Sequence, residues 1–333
     1  MARRLLPILA LLLLSLAIGC YQTETAAQDR NNDPKKKRDE FASDQAPAEP
    51  AKMIAFDGQR ALQYLRDLCK LGPRISGTPG MQKQQQFLQE HFEKLGGKVD
   101  FQKFTAKQFS QRQAVEMANM IVHWHPERER RVIFCTHYDT RPMADEEPDR
   151  RKWSEPFVSA NDGTSGSAWL MELANHMKDL PVNVGVDFVF FDGEEYIFEK
   201  GRDKFFLGSD YFAASYQQQK NRPKYLAAVL LDLFAGKNAK YPIEQNSEFW
   251  AGALAEDIWK TAAQLNIKAF RNERGINLED DHIALNKAGI PAVDIVDFDY
   301  RYWHRLNDLP DACSAESFEN VGKVLTVWVQ RVK

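Results

Sequence analysis

The sequence predicts an α/β protein with helices on both faces of a sheet, and three observations carry that prediction. Apolar strand-like runs alternate with segments of helical period over most of the chain. Several of those runs are apolar on consecutive residues, as strands are when both faces are covered. Acidic or imidazole side chains follow the strand ends at once, where ligands bind in open α/β sheets.

Two helical segments come first, Asp57–Leu71 and Met81–Leu95, followed by strands at Val99–Phe104, Met117–Trp124 and Arg131–Cys135. A helix over Gly166–Lys178 then alternates with strands Val186–Phe191 and Leu226–Leu231. Helix Glu248–Leu265, strand Ile290–Val296 and helix Ala315–Val329 complete the set. No internal repeat and no linker-like stretch interrupts residues 51–333, which read as a single catalytic domain.

The chain has 333 residues, 44% of them apolar and 11% aromatic, enough for a sizeable core. Net charge is −3, and no basic stripe interleaved with aromatics appears, so no nucleic-acid partner is expected. The first 19 residues read as a signal peptide, with Arg3 and Arg4 before an apolar run from Leu5 to Ile18. That run is shorter than the roughly 20 residues a spanning helix needs. Gly19 before Cys20 resembles a bacterial lipoprotein cleavage box, although Ala17 stands where Leu is usual. A lipid on Cys20 would be the only membrane attachment, on the outer face of a bacterial membrane, periplasmic or at the cell surface. Residues 20–50 read as a flexible tether, almost free of large apolar side chains. Of the other cysteines, Cys135 lies in an apolar run and reads as core, and a Cys69–Cys313 disulfide stays open.

The stretch FVFFDGEEYIF drives a buried strand into Asp192, Glu194 and Glu195. Ionised carboxylates are costly to bury unless paired or bound to a cation. The other strand ends name a partner. RVIFC runs into His137 and Asp139, LAAVLL into Asp232, and IPAVDIV is followed by Trp303 and His304. The loop SANDGTSGS adds Asp162 before a helix. Singly, a His-x-Asp at a strand end or a Glu-Glu turn is ordinary. Together, His137, Asp162, Glu194, Glu195, Asp232 and His304 on one edge form an oxygen and imidazole set suited to zinc. His123 and His125 share one strand face without a strand-end carboxylate and read as structural or exposed, and His176 reads as ordinary. No G-x-S-x-G elbow and no phosphate-binding loop occur, which removes the main support for serine hydrolase and nucleotide-driven chemistry.

From about Asp57 to the C-terminus the chain resembles the zinc-dependent aminopeptidase-like exopeptidases, and among them the glutaminyl-peptide cyclotransferases. The resemblance rests on THYDT, ANDGTSG, FFDGEE, LLDLFAG, EDDHIALNKAGIPAVDI and YWHRLNDLPD, in that order. It implies a three-layer α/β/α sandwich around a mixed, twisted central sheet. It implies one zinc held by Asp162, Glu195 and His304, with a second site available to His137 and Asp232 in the aminopeptidase arrangement. Glu194 is the implied proton shuttle, with Asp280 and Asp232 as an acidic hydrogen-bonded group beside it. Asp139 is implied to orient His137, and Trp303 and His282 to contact peptide substrates. Asp280 before Asp281-His282, where aminopeptidases usually carry Ser, and Trp303 before His304 favour the cyclotransferase branch. Two positions depart from it: the pocket Trp expected five residues after Glu195 is Lys200, and the aromatic expected near 299 is Asp299, between Phe298 and Tyr300.

Three functions follow as expectations. The first is conversion of an N-terminal Gln to pyroglutamate with release of ammonia. The second is a di-zinc aminopeptidase using the same residues. The third, from another class, is a non-catalytic surface lipoprotein that binds peptides.

Overall fold

A computed structural model describes residues 51–333. The signal peptide, Cys20 and the tether lie outside the described residues. Among those described, no helix is long and apolar enough to cross a membrane.

The strands are, in chain order, β1 (Lys98–Ala106), β2 (Val115–Trp124), β3 (Arg130–His137), β4 (Gly185–Phe191), β5 (Lys224–Leu231), β6 (Tyr241–Ile243), β7 (Phe270–Arg274) and β8 (Ala292–Ile295). Six of them form the central sheet in the order β1-β2-β4-β3-β5-β8, and β6 and β7 pair separately. β1 and β2 pair antiparallel, as do β2 and β4, while β4, β3, β5 and β8 run parallel. The sheet is therefore mixed, and its four parallel strands end on one edge.

Helices cover both faces. α1 (Gly58–Cys69), α2 (Pro79–Lys94) and α3 (Thr164–Ala174) pack on one side, where the later α5 (Gln245–Gln264) and α7 (Ala315–Val329) join them. α4 (Leu207–Gln218) and α6 (Asp281–Lys287) pack on the other. The period of two along each strand divides the core between them. Val132 and Phe134 of β3 join the first cluster, and Ile133 and Cys135 the second. All seven residues of β4 are buried, which is why its sequence is nearly continuous in apolar side chains.

Caps set the helix starts. Asp57 accepts from the Arg60 amide and Thr78 from the Met81 amide, each opening a helix just beyond itself. Ser314 does the same for α7, whose bounds coincide with those expected. Expectation and structure differ at four elements: α4, α6 and the short parallel pair of β6 and β7 carry no clear periodic signal in the sequence. α4 starts from a left-handed Phe206 with no side-chain cap, and α6 and β6 are too short to establish a period. Cys69, Cys135 and Cys313 are buried free thiols, so the open question of a Cys69–Cys313 disulfide resolves as unpaired.

Candidate metal centre

The acids and imidazoles expected from the strand ends meet on one edge. His137 is the last residue of β3, Glu194 and Glu195 follow β4, and Asp232 follows β5. Asp162 immediately precedes the Gly163 cap of α3, and His304 comes from the loop after β8. His137 Nε2 is 3.0 Å from Asp162 Oδ1 and 3.3 Å from Asp232 Oδ1. His304 Nε2 is 3.6 Å from Asp162 Oδ2 and also contacts Glu195 Oε1. Three groups result, His137 with Asp162 and Asp232, His137 with Glu194 and Glu195, and Asp162 with Glu195 and His304, each with donor atoms within 4.8 Å of one another. Asp162 belongs to two of them.

Backbone geometry brings these side chains so close. Gly163 adopts φ 69°, and a Cβ there would lie 2.5 Å from the His137 ring. Gly193, at φ 76°, turns the chain so that Glu194 and Glu195 leave β4 toward the site. Leu233 and His304 are non-glycine residues in the left-handed region, at φ 49° and 53°. Such conformations persist only where surrounding contacts hold them, and they concentrate at functional sites.

The donor set fits zinc on an observation independent of family. Asp162 Oδ2, Glu195 Oε2 and both nitrogens of His304 are buried and without a hydrogen-bond partner, as are both nitrogens of His137. Buried polar atoms left in this state are costly, and a cation coordinated by them removes the cost. The electrostatics agree. Burial and the charge of Glu195 push Asp162 up to about 8. Burial opposes charging of His304, but Glu195 and Asp145 lift it to about 9. Burial likewise resists ionisation of Glu195, yet His304 and Arg141 hold it at about 2. The site draws positive charge, and metal ligation would displace the imidazole protons that otherwise supply it.

Glu194 sits beside this cluster, its Oε2 3.9 Å from His137 Nδ1. Burial, with the charges of Glu195 and Asp280, raises its pKa well above the usual carboxylate range, against the pull of His137. Asp280 caps α6, accepting from the Asp281 amide at 2.6 Å. Burial and the neighbouring charges of Asp232 and Asp281 push it well above the usual range too. Asp280 also lines a cavity of about 270 Å³ with Phe205, Phe206 and Ile283.

Several expected residues have further partners in the fold. Asp139 lies 3.7 Å from His137 Nδ1 and spends its two oxygens on the amides of Glu194 and Glu195, at 3.1 Å each. It fixes the turn that carries the two glutamates, and it also lies beside the His137 imidazole, which it helps to hold well above the usual range against burial. Asp192 needs no metal: it accepts from Ser76 Oγ at 2.6 Å and from the Ala118 amide at 2.9 Å. His282 is fully buried, with Nε2 3.2 Å from Glu244, so that nitrogen is engaged by the protein itself. Trp303 is half-buried, against His304 (centroids 4.0 Å) and Phe298 (5.1 Å). Of the two aromatics that flank Asp299, Phe298 packs against Trp303, while Tyr300 turns inward to Asp308. Lys200 lies with its ammonium 5.5 Å from the centre of the Trp303 ring.

His123 is structural, as expected, and its carboxylate comes from the next strand: Nδ1 is 2.7 Å from Asp187 of β4. His176 pairs with Glu172 at 2.9 Å.

Three supporting residues escape a reading of the sequence alone. Asp308 accepts from the amides of Asn161 and Asp162, at 2.9 and 3.2 Å, and so places Asp162. Its one signal is its position four residues after His304, inside RLNDLPD. Arg141 and Asp145 form a buried fork-to-carboxylate pair in RPMAD, which directly follows THYDT.

Comparison with known proteins agrees with this geometry. The pattern of peptidase family M28 matches residues 119–329, and the chain belongs to that family. Over 87% of its length it is 51% identical to the glutaminyl cyclase of Fimbriiglobus ruber, all of which is covered, with a TM-score of 0.83. It is 29% identical to a leucine aminopeptidase precursor from Bacteroides thetaiotaomicron, with 85% of this chain and 100% of that one covered and a TM-score of 0.80. A glutaminyl-peptide cyclotransferase of Boiga irregularis is 24% identical, over 77% of this chain and 76% of its own.

Proposed function

We infer that the protein is a glutaminyl-peptide cyclotransferase, closing an N-terminal Gln to pyroglutamate and releasing ammonia. The observation that carries this is the 51% identity to a glutaminyl cyclase over nearly the whole described chain, with the complete acid and imidazole set assembled. Asp280 supports the same branch, since it sets a buried carboxylate near Asp232 where the aminopeptidases usually carry Ser.

In this reading Asp162, Glu195 and His304 hold one zinc, which when bound polarises the γ-carbonyl of the substrate as a Lewis acid. Glu194 takes a proton from the substrate α-amine as that amine attacks the γ-carbon. The same carboxyl returns the proton to the departing ammonia, so no water is consumed. Its pKa, raised by burial, suits a group that must hold a proton as well as take one up. Trp303 walls the approach beside His304. Intramolecular attack supplies much of the proximity advantage, and the chain's task is mainly to orient and desolvate.

The aminopeptidase alternative keeps one specific observation in its favour: Asp162 faces both imidazoles, as a bridging carboxylate would. One experiment separates the two. The purified protein is given Gln- and Leu-aminoacyl substrates, and its zinc is counted. Ammonia from the Gln substrate, no free Leu and one tightly held zinc are expected. Asp280→Ser should then admit a second zinc. Release of free amino acids by a wild-type protein holding two zinc ions would overturn the inference. Export and lipid anchoring at Cys20 remain part of the proposal, resting on residues 1–20 of the sequence alone.

A further inference from the structure

Most of the candidate ligands stand directly at the end of a strand or the start of a helix, but His304 does not. It lies in a loop outside helix and strand, with a left-handed backbone at φ 53°. Such a residue depends on outside contacts to keep its ring aimed. Those contacts come from one short segment after β3. The Glu146 amide donates to the His304 carbonyl at 3.2 Å, which holds the backbone. Asp145, its side chain 7% exposed, places Oδ1 3.3 Å from His304 Nδ1, an ion-pair contact and not an aligned hydrogen bond, with Nε2 facing Asp162 and Glu195.

Asp145 is itself held from two sides. Arg141 grips both its oxygens, Nε to Oδ1 at 2.8 Å and Nη2 to Oδ2 at 2.9 Å. The remaining Arg141 nitrogen, Nη1, is 3.6 Å from Glu195 Oε1, so one guanidinium spans the support of one ligand and the other ligand itself. Lys200 approaches Asp145 Oδ2 at 3.3 Å and Glu146 Oε1 at 2.6 Å while covering Trp303.

We propose that Asp145, locked by Arg141, is a positioning residue that presents His304 Nε2 to the metal, and that Lys200 ties this carboxylate to the Trp303 wall. A carboxylate on the outer nitrogen of a ligating imidazole fixes its tautomer and orientation, and losing it typically costs about 10–100-fold in metal affinity. Asp145 touches no reacting atom in this assignment. The inference rests on the zinc reading above.

The test is the zinc dissociation constant, measured by competition with a chromophoric chelator. Wild type, Asp145→Asn and Glu146→Gln are compared, with the fold checked by circular dichroism. Glu146 meets the same lysine but not the imidazole. Asp145→Asn should bind zinc about 10–100-fold more weakly, and Glu146→Gln should bind it as wild type does. Wild-type affinity in Asp145→Asn would overturn the proposal, and so would equal weakening in both variants, which would trace the effect to local charge alone. Should Asp145→Asn not fold, Asp145→Glu carries the same test, a displaced carboxylate being expected to weaken zinc by a smaller factor and an unchanged affinity again counting against the role. A wild-type protein that binds no zinc at all would instead refute the underlying zinc reading.

Discussion

Two buried clusters in this molecule combine a carboxylate with an imidazole, yet they are opposite in kind. At the start of the parallel strands, Asp187 receives Arg131 Nε at 2.9 Å and Nη2 at 2.6 Å, His123 Nδ1 at 2.7 Å and the Tyr225 hydroxyl at 2.8 Å. Donors there match acceptors. At the far ends of the same strands, Asp162, Glu194, Glu195, Asp232 and Asp280 crowd together, with His137, His304 and Arg141 as the cationic partners among the described residues. Acceptors there exceed donors, and several buried atoms have no partner. The pKa shifts follow. Burial opposes ionisation of Asp187, but His123 and Arg131 hold it below the usual carboxylate range, whereas Asp162 is pushed up to about 8. Burial of charge alone does not mark a metal centre; what sets this cluster apart is that carboxylates and imidazoles face one another with atoms left unpartnered.

The sharpest way to break this contrast is at Glu194. Glu194→Gln is isosteric and removes proton transfer while leaving Asp162, Glu195 and His304 in place. Ammonia release should fall by about 10²–10⁴-fold, with zinc content unchanged by metal analysis. Near wild-type turnover would remove Glu194 from its role.

Asp187→Asn attacks the balanced cluster. It leaves the Arg131 guanidinium buried with its charge uncompensated, and a broken buried pair costs about 3–5 kcal/mol. Urea unfolding should register that loss, while zinc affinity stays at the wild-type value. A shift in zinc affinity with little change in stability would mean the two ends of the strands are not independent.

The smallest effect is expected at Glu244, which caps α5 and accepts from the amides of Asn246, Ser247 and Leu278 beside His282. Burial works against its ionisation, but His282 and these amides win and hold it at about 2. A depressed carboxyl stabilises the fold above its unfolded pKa, and that stability is lost as pH falls through the folded one. Glu244→Gln should therefore cost about 2 kcal/mol at pH 7. The gap from wild type should close as pH falls from the ordinary carboxyl range toward 2. A gap that stays constant with pH would show that the Glu244 charge contributes nothing.

Much of the site is legible in the order of residues along the chain. Asp162, Glu194, Glu195 and Asp232 each stand at a strand end or helix start, His304 follows the last strand, and strand ends converge in a parallel sheet. What stays obscure at that level depends on partners far along the chain. Asp192 reads as a third member of an acidic triplet, but its partners, Ser76 and Ala118, lie over seventy residues upstream. The carboxylate for His123 is on β4, a neighbour that the antiparallel β2–β4 pairing supplies.

By itself, then, the sequence determined the layers, the strand ends and the identity of the candidate ligands, because period and residue type are local properties of the chain. The tertiary structure decided which of the buried acids are already satisfied and which are left facing one another. It placed Lys200 over Trp303 and Phe298 beside it. It also drew Arg141 and Asp145 from the loop after β3 to the flank of His304. Hydrogen-bond satisfaction is a sum over atoms that meet only when the chain folds, and no local pattern carries that sum.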